Sequence, residues 1–235
     1  MNYLKTFIED SKYYDPKNIE VKTILKNVNL KGKTVLDIGA GIGRLSFLLA
    51  KYAKKIVVLD QDKRLKSYFK KHKKENIEFV NQKAKEYLKD NEKFDIILLA
   101  WPTFDFHFLD LIKNAMHKSS IFVFITCDNN SDYETIINKL DTGKGFDHDI
   151  SNKQKFMEIL PKKFNILIKE KIKTEYIYPN EKEAFRIIKS SMTLWFDTKF
   201  NKKVDEKLLG IINNHKKGNK IKFGEEIYFY LSKLK

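Results

Sequence analysis

The sequence predicts an α/β fold, a doubly wound and mostly parallel seven-stranded sheet within a single domain spanning residues 1–235. Three observations lead there. Short apolar runs of strand length alternate with segments of helical periodicity over the first two thirds of the chain. The runs are continuous rather than alternating, as in parallel strands buried on both faces. The first run ends in a cluster of glycines, at the point where a strand hands over to a helix.

The elements follow in order. An N-terminal helical segment covers residues 1–30, with Ile19, Ile24, Leu25 and Val28 near helical spacing. Strand 33–38 precedes a helix over 44–53 that places Leu45, Leu48, Leu49 and Tyr52 on one face. Strand 56–59 ends at Asp60, and Asp62 is placed to cap a lysine-rich helix over 63–74. Strands 77–80 and 94–100 come next, the latter stopped by Trp101 and Pro102, then a helix over 105–116 and a strand over 121–126. The last third holds a helix over 131–140, a glycine-containing loop over 141–149, a helix over 151–160 ended by Pro161, and strands 164–172 and 227–231. Between those strands, residues 176–222 carry helices over 181–195 and 204–215, rich in large apolar side chains. This insertion leaves the sheet where open α/β sheets bind ligands, and reads as a helical lid.

Composition removes several classes. The 235 residues are 42% apolar, enough for a core without staples. Cys127 is the single cysteine, so an internal disulfide and a multi-cysteine zinc site are excluded. The acid cluster Asp147-His148-Asp149 reads as surface, and no metal is expected. No apolar run approaches the ~20 residues of a membrane span, and the N-terminus lacks a signal-peptide apolar block. A cytoplasmic protein without membrane contact is expected. The net charge of +15 would attract polyanions, yet all but three of the 46 basic residues are lysine. Arginine's planar fork is the usual reader of phosphates and bases, so the lysines read first as solvated helix faces.

The chemistry is concentrated in Val35–Arg44, VLDIGAGIGR. An acid, Asp37, precedes glycines at 39, 41 and 43, which permit positive φ and let a ligand lie on bare backbone at a helix N-terminus. Asp60 closes the next strand, where a carboxylate can accept from both hydroxyls of an adenosine ribose. A dinucleotide fingerprint would require glycine at position 44, which is Arg44 here.

The ladder D-I-G-A-G-I-G resembles motif I of the class I S-adenosylmethionine-dependent methyltransferases, over about residues 34–131, and implies their Rossmann-like fold. The resemblance implies that Gly39, Ala40, Gly41 and Gly43 pass beneath the methionine part of S-adenosyl-L-methionine, that Asp37 orients its amino group, and that Asp60, followed by Gln61, holds the ribose. It places Lys83 and Ala84 near the adenine, although relatives commonly have an acid at the position of Lys83. It places Ala100 and Trp101 beside the reactive methyl group, followed by Thr103 and Phe104 at the acceptor. Enzymes that methylate base amines commonly show an Asp/Asn-Pro-Pro-aromatic tetrad there, and Ala100-Trp101-Pro102-Thr103-Phe104 lacks its amide or acid.

A hydroxyl or ammonium nucleophile needs a proton acceptor. His107 and Asp105 follow this motif closely, with a bystander helix residue and a helix cap as their alternative roles. Tyr13 and Tyr14 ahead of the core, and Tyr176, Tyr178 and Trp195 at the insertion, are expected to line the acceptor pocket, with simple packing as the alternative. The reading is a methyltransferase acting on a small-molecule acceptor. The alternatives are an RNA methyltransferase using the basic surface, and a non-catalytic cofactor-binding partner subunit.

Overall fold

In a computed structural model, residues 3–89, 92–102, 108–127, 131–140 and 145–235 are described, except for the side chains of Tyr133 and of 145–152. The strands are β1 (Thr34–Ile38), β2 (Lys55–Leu59), β3 (Ile77–Val80), β4 (Phe94–Ala100), β5 (Met116–Cys127), β6 (Phe164–Tyr178), β7 (Lys216–Lys217) and β8 (Lys220–Leu234). The helices are α1 (Tyr3–Ser11), α2 (Ile19–Asn27), α3 (Arg44–Leu49), α4 (Leu65–Lys71), α5 (Ala84–Tyr87), α6 (Phe108–Asn114), α7 (Asp132–Lys139), α8 (Gly145–Lys163), α9 (Glu181–Phe196) and α10 (Lys202–Asn214). Seven strands form one sheet in the order β3-β2-β1-β4-β5-β8-β6, and β7 pairs antiparallel with β8. β1 to β5 are joined by parallel ladders. The mostly parallel sheet expected from the apolar runs is therefore present. Helices α9 and α10 lie between β6 and β8 in the chain, as expected.

The chain divides into two compact units. One comprises Glu20–Thr126, Ile150–Lys171 and Tyr228–Lys235. Its parallel strands are rich in β-branched residues, and Leu36, Ile56, Val58, Ile97 and Phe122 are fully buried. Leu109 and Ile112 of α6 and Phe156 and Leu160 of α8 join the same core.

The other unit comprises Met1–Ile19, Cys127–Asp149 and Ile172–Ile227. Its core joins Ile136, Ile187, Ile188, Met192, Leu208, Ile212 and Phe223. Side-chain caps start three of its helices, α7, α9 and α10. Ser131 accepts from the Glu134 amide at 3.0 Å, Asn180 from Glu183 at 2.9 Å, and Asn201 from Val204 at 3.1 Å.

Several boundaries differ from the sequence reading. β6 and β8 are both 15 residues long, well beyond the expected 164–172 and 227–231. Their extensions alternate charged and apolar residues, and β6 exposes Asn165, Leu167, Lys169 and Lys171 on one side, as an edge strand does. α8 starts at Gly145 within the expected loop and runs past Pro161 to Lys163. A proline in the last turn removes one backbone bond, whereas Phe156 and Leu160, each 1% exposed, seat the helix in the core. β5 starts at Met116, five residues before the expected strand. Its pairing with β4 shifts register between Phe94 and Ile96, and the Ser120 hydroxyl donates to the Phe94 carbonyl at 2.6 Å across the irregularity.

Candidate cofactor site

The sheet order brings the C-terminal ends of β1, β2 and β4 side by side. Ile38 pairs with Leu59 on one side and Leu99 on the other, so the glycine loop, Asp60 and Trp101 all leave the same edge. The loop is tied down at its start, where the Gly39 amide donates to the Leu59 carbonyl at 2.8 Å. Gly39 has φ +67, and a Cβ there would meet nothing within 4 Å, so bare backbone faces open space. Gly43 has φ +71 for a different reason. A Cβ there would come within 2.9 Å of the Phe69 ring, which would have to shift to admit it.

Asp37 is 3% exposed, and its Oδ2 accepts from the Ser46 hydroxyl at 2.6 Å. Burial pushes its carboxyl up to about 7, against the downward pull of the Ser46 hydrogen bond and the Arg44 charge, with Asp60 adding to the rise. Asp60 is fixed by backbone donors on both oxygens, the Gly41 amide to Oδ2 at 2.9 Å and the Asp62 amide to Oδ1 at 2.8 Å. Each carboxylate oxygen has two lone pairs, so this anchoring leaves acceptor capacity for a pair of ligand hydroxyls. Asp62 binds the Arg64 backbone amide at 2.9 Å and its guanidinium, three residues before α4 begins at Leu65, so it does not cap that helix as expected and Arg64 takes the cap position. Hydrogen bonding to Arg64 holds its carboxyl below the ordinary range.

The remaining expected residues fall as follows. Gln61 and Lys83 are exposed, and Ala84 opens α5 just beyond β3. Ala100 ends β4, and the Trp101 amide donates to the Ile125 carbonyl at 3.0 Å. Thr103, Phe104, Asp105 and His107 lie outside the described residues, as do the side chains of Asp147, His148 and Asp149.

The tyrosines belong to the other unit, and there they gather. Tyr13 packs on Tyr178 (ring centroids 5.0 Å apart), Tyr14 on Tyr176 (4.9 Å), and Tyr176 stacks with Tyr178 (6.2 Å). The backbone joins them as well: the Ile177 amide donates to the Tyr13 carbonyl at 2.9 Å and the Asp15 amide to the Glu175 carbonyl at 3.0 Å. Tyr178 is completely buried and Tyr14 is 7% exposed, so both serve as core, the alternative role for this group. Trp195 packs edge-on against Tyr3 and Phe7 of α1, each at 5.4 Å.

Two residues absent from the sequence reading complete the site. Ser46 lies on the buried side of α3 and holds Asp37. Glu20, on the buried side of α2, is fully enclosed and takes the Arg44 guanidinium and, at 2.7 Å, the Trp101 indole N–H. The available signal was a carboxylate at position 20, one helical turn before the buried Ile24.

A parallel sheet in this order, with an acid, a glycine ladder and a second acid at its carboxyl edge, defines an α/β fold for a nucleoside-bearing cofactor. A methyltransferase-domain family model matches residues 29–193, more than two thirds of the chain. The chain belongs to that family, the class I S-adenosylmethionine-dependent methyltransferases. It is 37% identical over 82 residues to the ubiquinone biosynthesis O-methyltransferase of Coxiella burnetii (34% of this chain, 35% of that protein). It is 35% identical over 106 residues to a protein of Methanosphaera stadtmanae assigned as ribosomal RNA small subunit methyltransferase A (43% and 34%). The chain thus spans about a third of the length of the curated relatives it matches. Among solved structures it resembles a type II methyltransferase candidate from Anaeromyxobacter dehalogenans (TM-score 0.66, 13% identity, 91% and 94% covered). It also resembles the YcgJ protein of Bacillus subtilis (TM-score 0.58, 14% identity, 92% and 97% covered). At these identities the likeness is one of fold. Among the described residues, no helix is long and apolar enough to cross a membrane.

Proposed function

We propose that this chain transfers a methyl group from S-adenosylmethionine to a small-molecule acceptor. The observation that carries this reading is the arrangement of Asp37, Gly39 and Asp60: a buried acid, open backbone and an anchored acid at adjoining strand ends. These groups fit the cofactor. Gly39 offers room for a ligand against the backbone, Asp37 would hold the cationic amino group, and Asp60 would accept from the ribose hydroxyls. When bound, the cofactor supplies a methyl group on a positively charged sulfur, open to in-line displacement by an acceptor lone pair. The protein's share is to orient both partners and exclude water. His107 is proposed to take the proton from a hydroxyl acceptor, with Asp105 as the alternative.

A small acceptor is supported by the absence of an amide or acid at Ala100 and by the relative named for ubiquinone biosynthesis. The test is calorimetry with S-adenosylmethionine and S-adenosylhomocysteine, followed by transfer of labelled methyl to a panel of phenols, amines and thiols, with RNA alongside. Micromolar binding and label in a small product support the proposal. No heat with either compound at high micromolar concentration overturns it. Label found only in RNA, with strongly salt-dependent binding, replaces the small acceptor by RNA.

A further inference from the structure

Glu20 draws together two segments that the sequence keeps apart. Its buried carboxylate takes the guanidinium of Arg44, the residue that follows the glycine ladder, and the indole N–H of Trp101, the first residue beyond β4. Trp101 has φ +54, a left-handed conformation that a bulky side chain adopts only when its surroundings enforce it. The Glu20 bond is one such restraint, and the Trp101 amide bound to β5 is another. The residue is nevertheless 36% exposed, so the indole is pinned at its nitrogen while part of the ring remains open. An enclosed carboxylate is costly unless a cation and hydrogen-bond donors accompany it, and here both come from the two segments that border the proposed site.

We propose that Glu20 is a positioning residue: it fixes the Trp101 indole at the carboxyl edge of the sheet and joins it to the glycine loop through Arg44, where the ring would interact with the positive sulfur of S-adenosylmethionine. This rests on the function proposed above. A cation over an indole face is attracted, and the neutral thioether of the demethylated product is not. A correctly held Trp101 therefore favours S-adenosylmethionine over S-adenosylhomocysteine. Generic loss of fold would weaken both alike.

The chain has two tryptophans, so all proteins in the test carry Trp195→Phe, leaving Trp101 as the sole indole reporter. Glu20→Gln keeps the volume and removes the charge, and Trp101→Phe keeps a ring and removes the N–H. Thermal melting establishes that each is folded, and calorimetry gives the affinity for both cofactor forms. Glu20→Gln is expected to shift the ligand-free Trp101 emission. Either variant is expected to lower the ratio of S-adenosylmethionine to S-adenosylhomocysteine affinity by roughly three- to tenfold. A folded Glu20→Gln that keeps both the ratio and the emission of the Trp195→Phe protein, or a folded Trp101→Phe that keeps the ratio, overturns the proposal. If Glu20→Gln does not fold, the Trp101→Phe ratio alone decides. If the Trp195→Phe protein and the wild type bind neither compound, the proposed function fails, and the emission of ligand-free Glu20→Gln still decides whether Glu20 holds the indole.

Discussion

Around Asp37 and Glu20, carboxylates lie within the protein and are matched by hydrogen-bonding partners: the Ser46 hydroxyl for Asp37, and the Arg44 guanidinium and the Trp101 indole for Glu20. Around Arg186, in the other unit, charge stays at the surface. Its guanidinium bridges Glu183 and Glu9 at 2.8 Å each, and Tyr13 donates to Glu183 at 2.7 Å. The difference is one of dielectric environment. Burial pushes the Asp37 carboxyl up to about 7. Glu183 moves the other way, to about 2, chiefly because of its hydrogen bonds to Arg186 and Tyr13. Chemistry tuned by burial is thus concentrated at the glycine loop, while the tyrosine-rich unit uses charge to fasten α1 to α9. Asp10 of α1 departs from that pattern, since burial raises it to about 6 against the pull of the nearby Ser191 hydroxyl.

The largest test of this contrast is Gly43→Ala. It places a Cβ 2.9 Å from Phe69 at φ +71, and the combined strain and overpacking are expected to cost ~2–4 kcal/mol in urea unfolding. A cost below ~1 kcal/mol would show that Phe69 yields and that packing does not select the glycine. Next, Asp60→Ala should weaken S-adenosylmethionine binding by ~1–3 kcal/mol through lost charge-assisted hydrogen bonds, read by calorimetry. Unchanged affinity would remove Asp60 from the ribose site.

The third test is pH. Asp37 must be ionised to hold a cationic amine, so cofactor affinity should fall about tenfold per pH unit below about 7. Asp37→Asn should abolish that slope, and the slope's persistence would assign it elsewhere. Without ligand, the opposite dependence is expected. The folded state holds this proton more tightly than the unfolded chain, whose carboxyl titrates near 3.8. The stability so contributed is full below about pH 4 and lost as the pH rises through about 7, and Asp10 acts in the same direction. The smallest effect belongs to the surface network. Glu183→Gln should cost ~0.2–1 kcal/mol, because its partner Arg186 is 44% exposed, and the loss should shrink in high salt. The stability this carboxylate contributes is present above about pH 4.5 and lost as the pH falls through about 2. A larger cost would mean that the α1–α9 contact depends on this network.

The sequence by itself determined four parallel strands, expected at 33–38, 56–59, 77–80 and 94–100 and found within one residue of those bounds, and the acid–glycine–acid spacing. These are local features: a strand buried on both faces must be continuously apolar, and a loop of alternating left-handed residues must be glycine. The helix caps Ser131, Asn180 and Asn201 also act within three residues of themselves, although the sequence reading did not single them out. The extensions of β6 and β8 mix charged with apolar residues, and so were hidden from a search for apolar runs. Only the tertiary structure decided that Glu20 meets partners 24 and 81 residues away, that Ser46 holds Asp37, and that Tyr178 is core. A buried polar group is specified by what encloses it, and that enclosure is assembled from segments whose separation in the chain leaves no periodic trace.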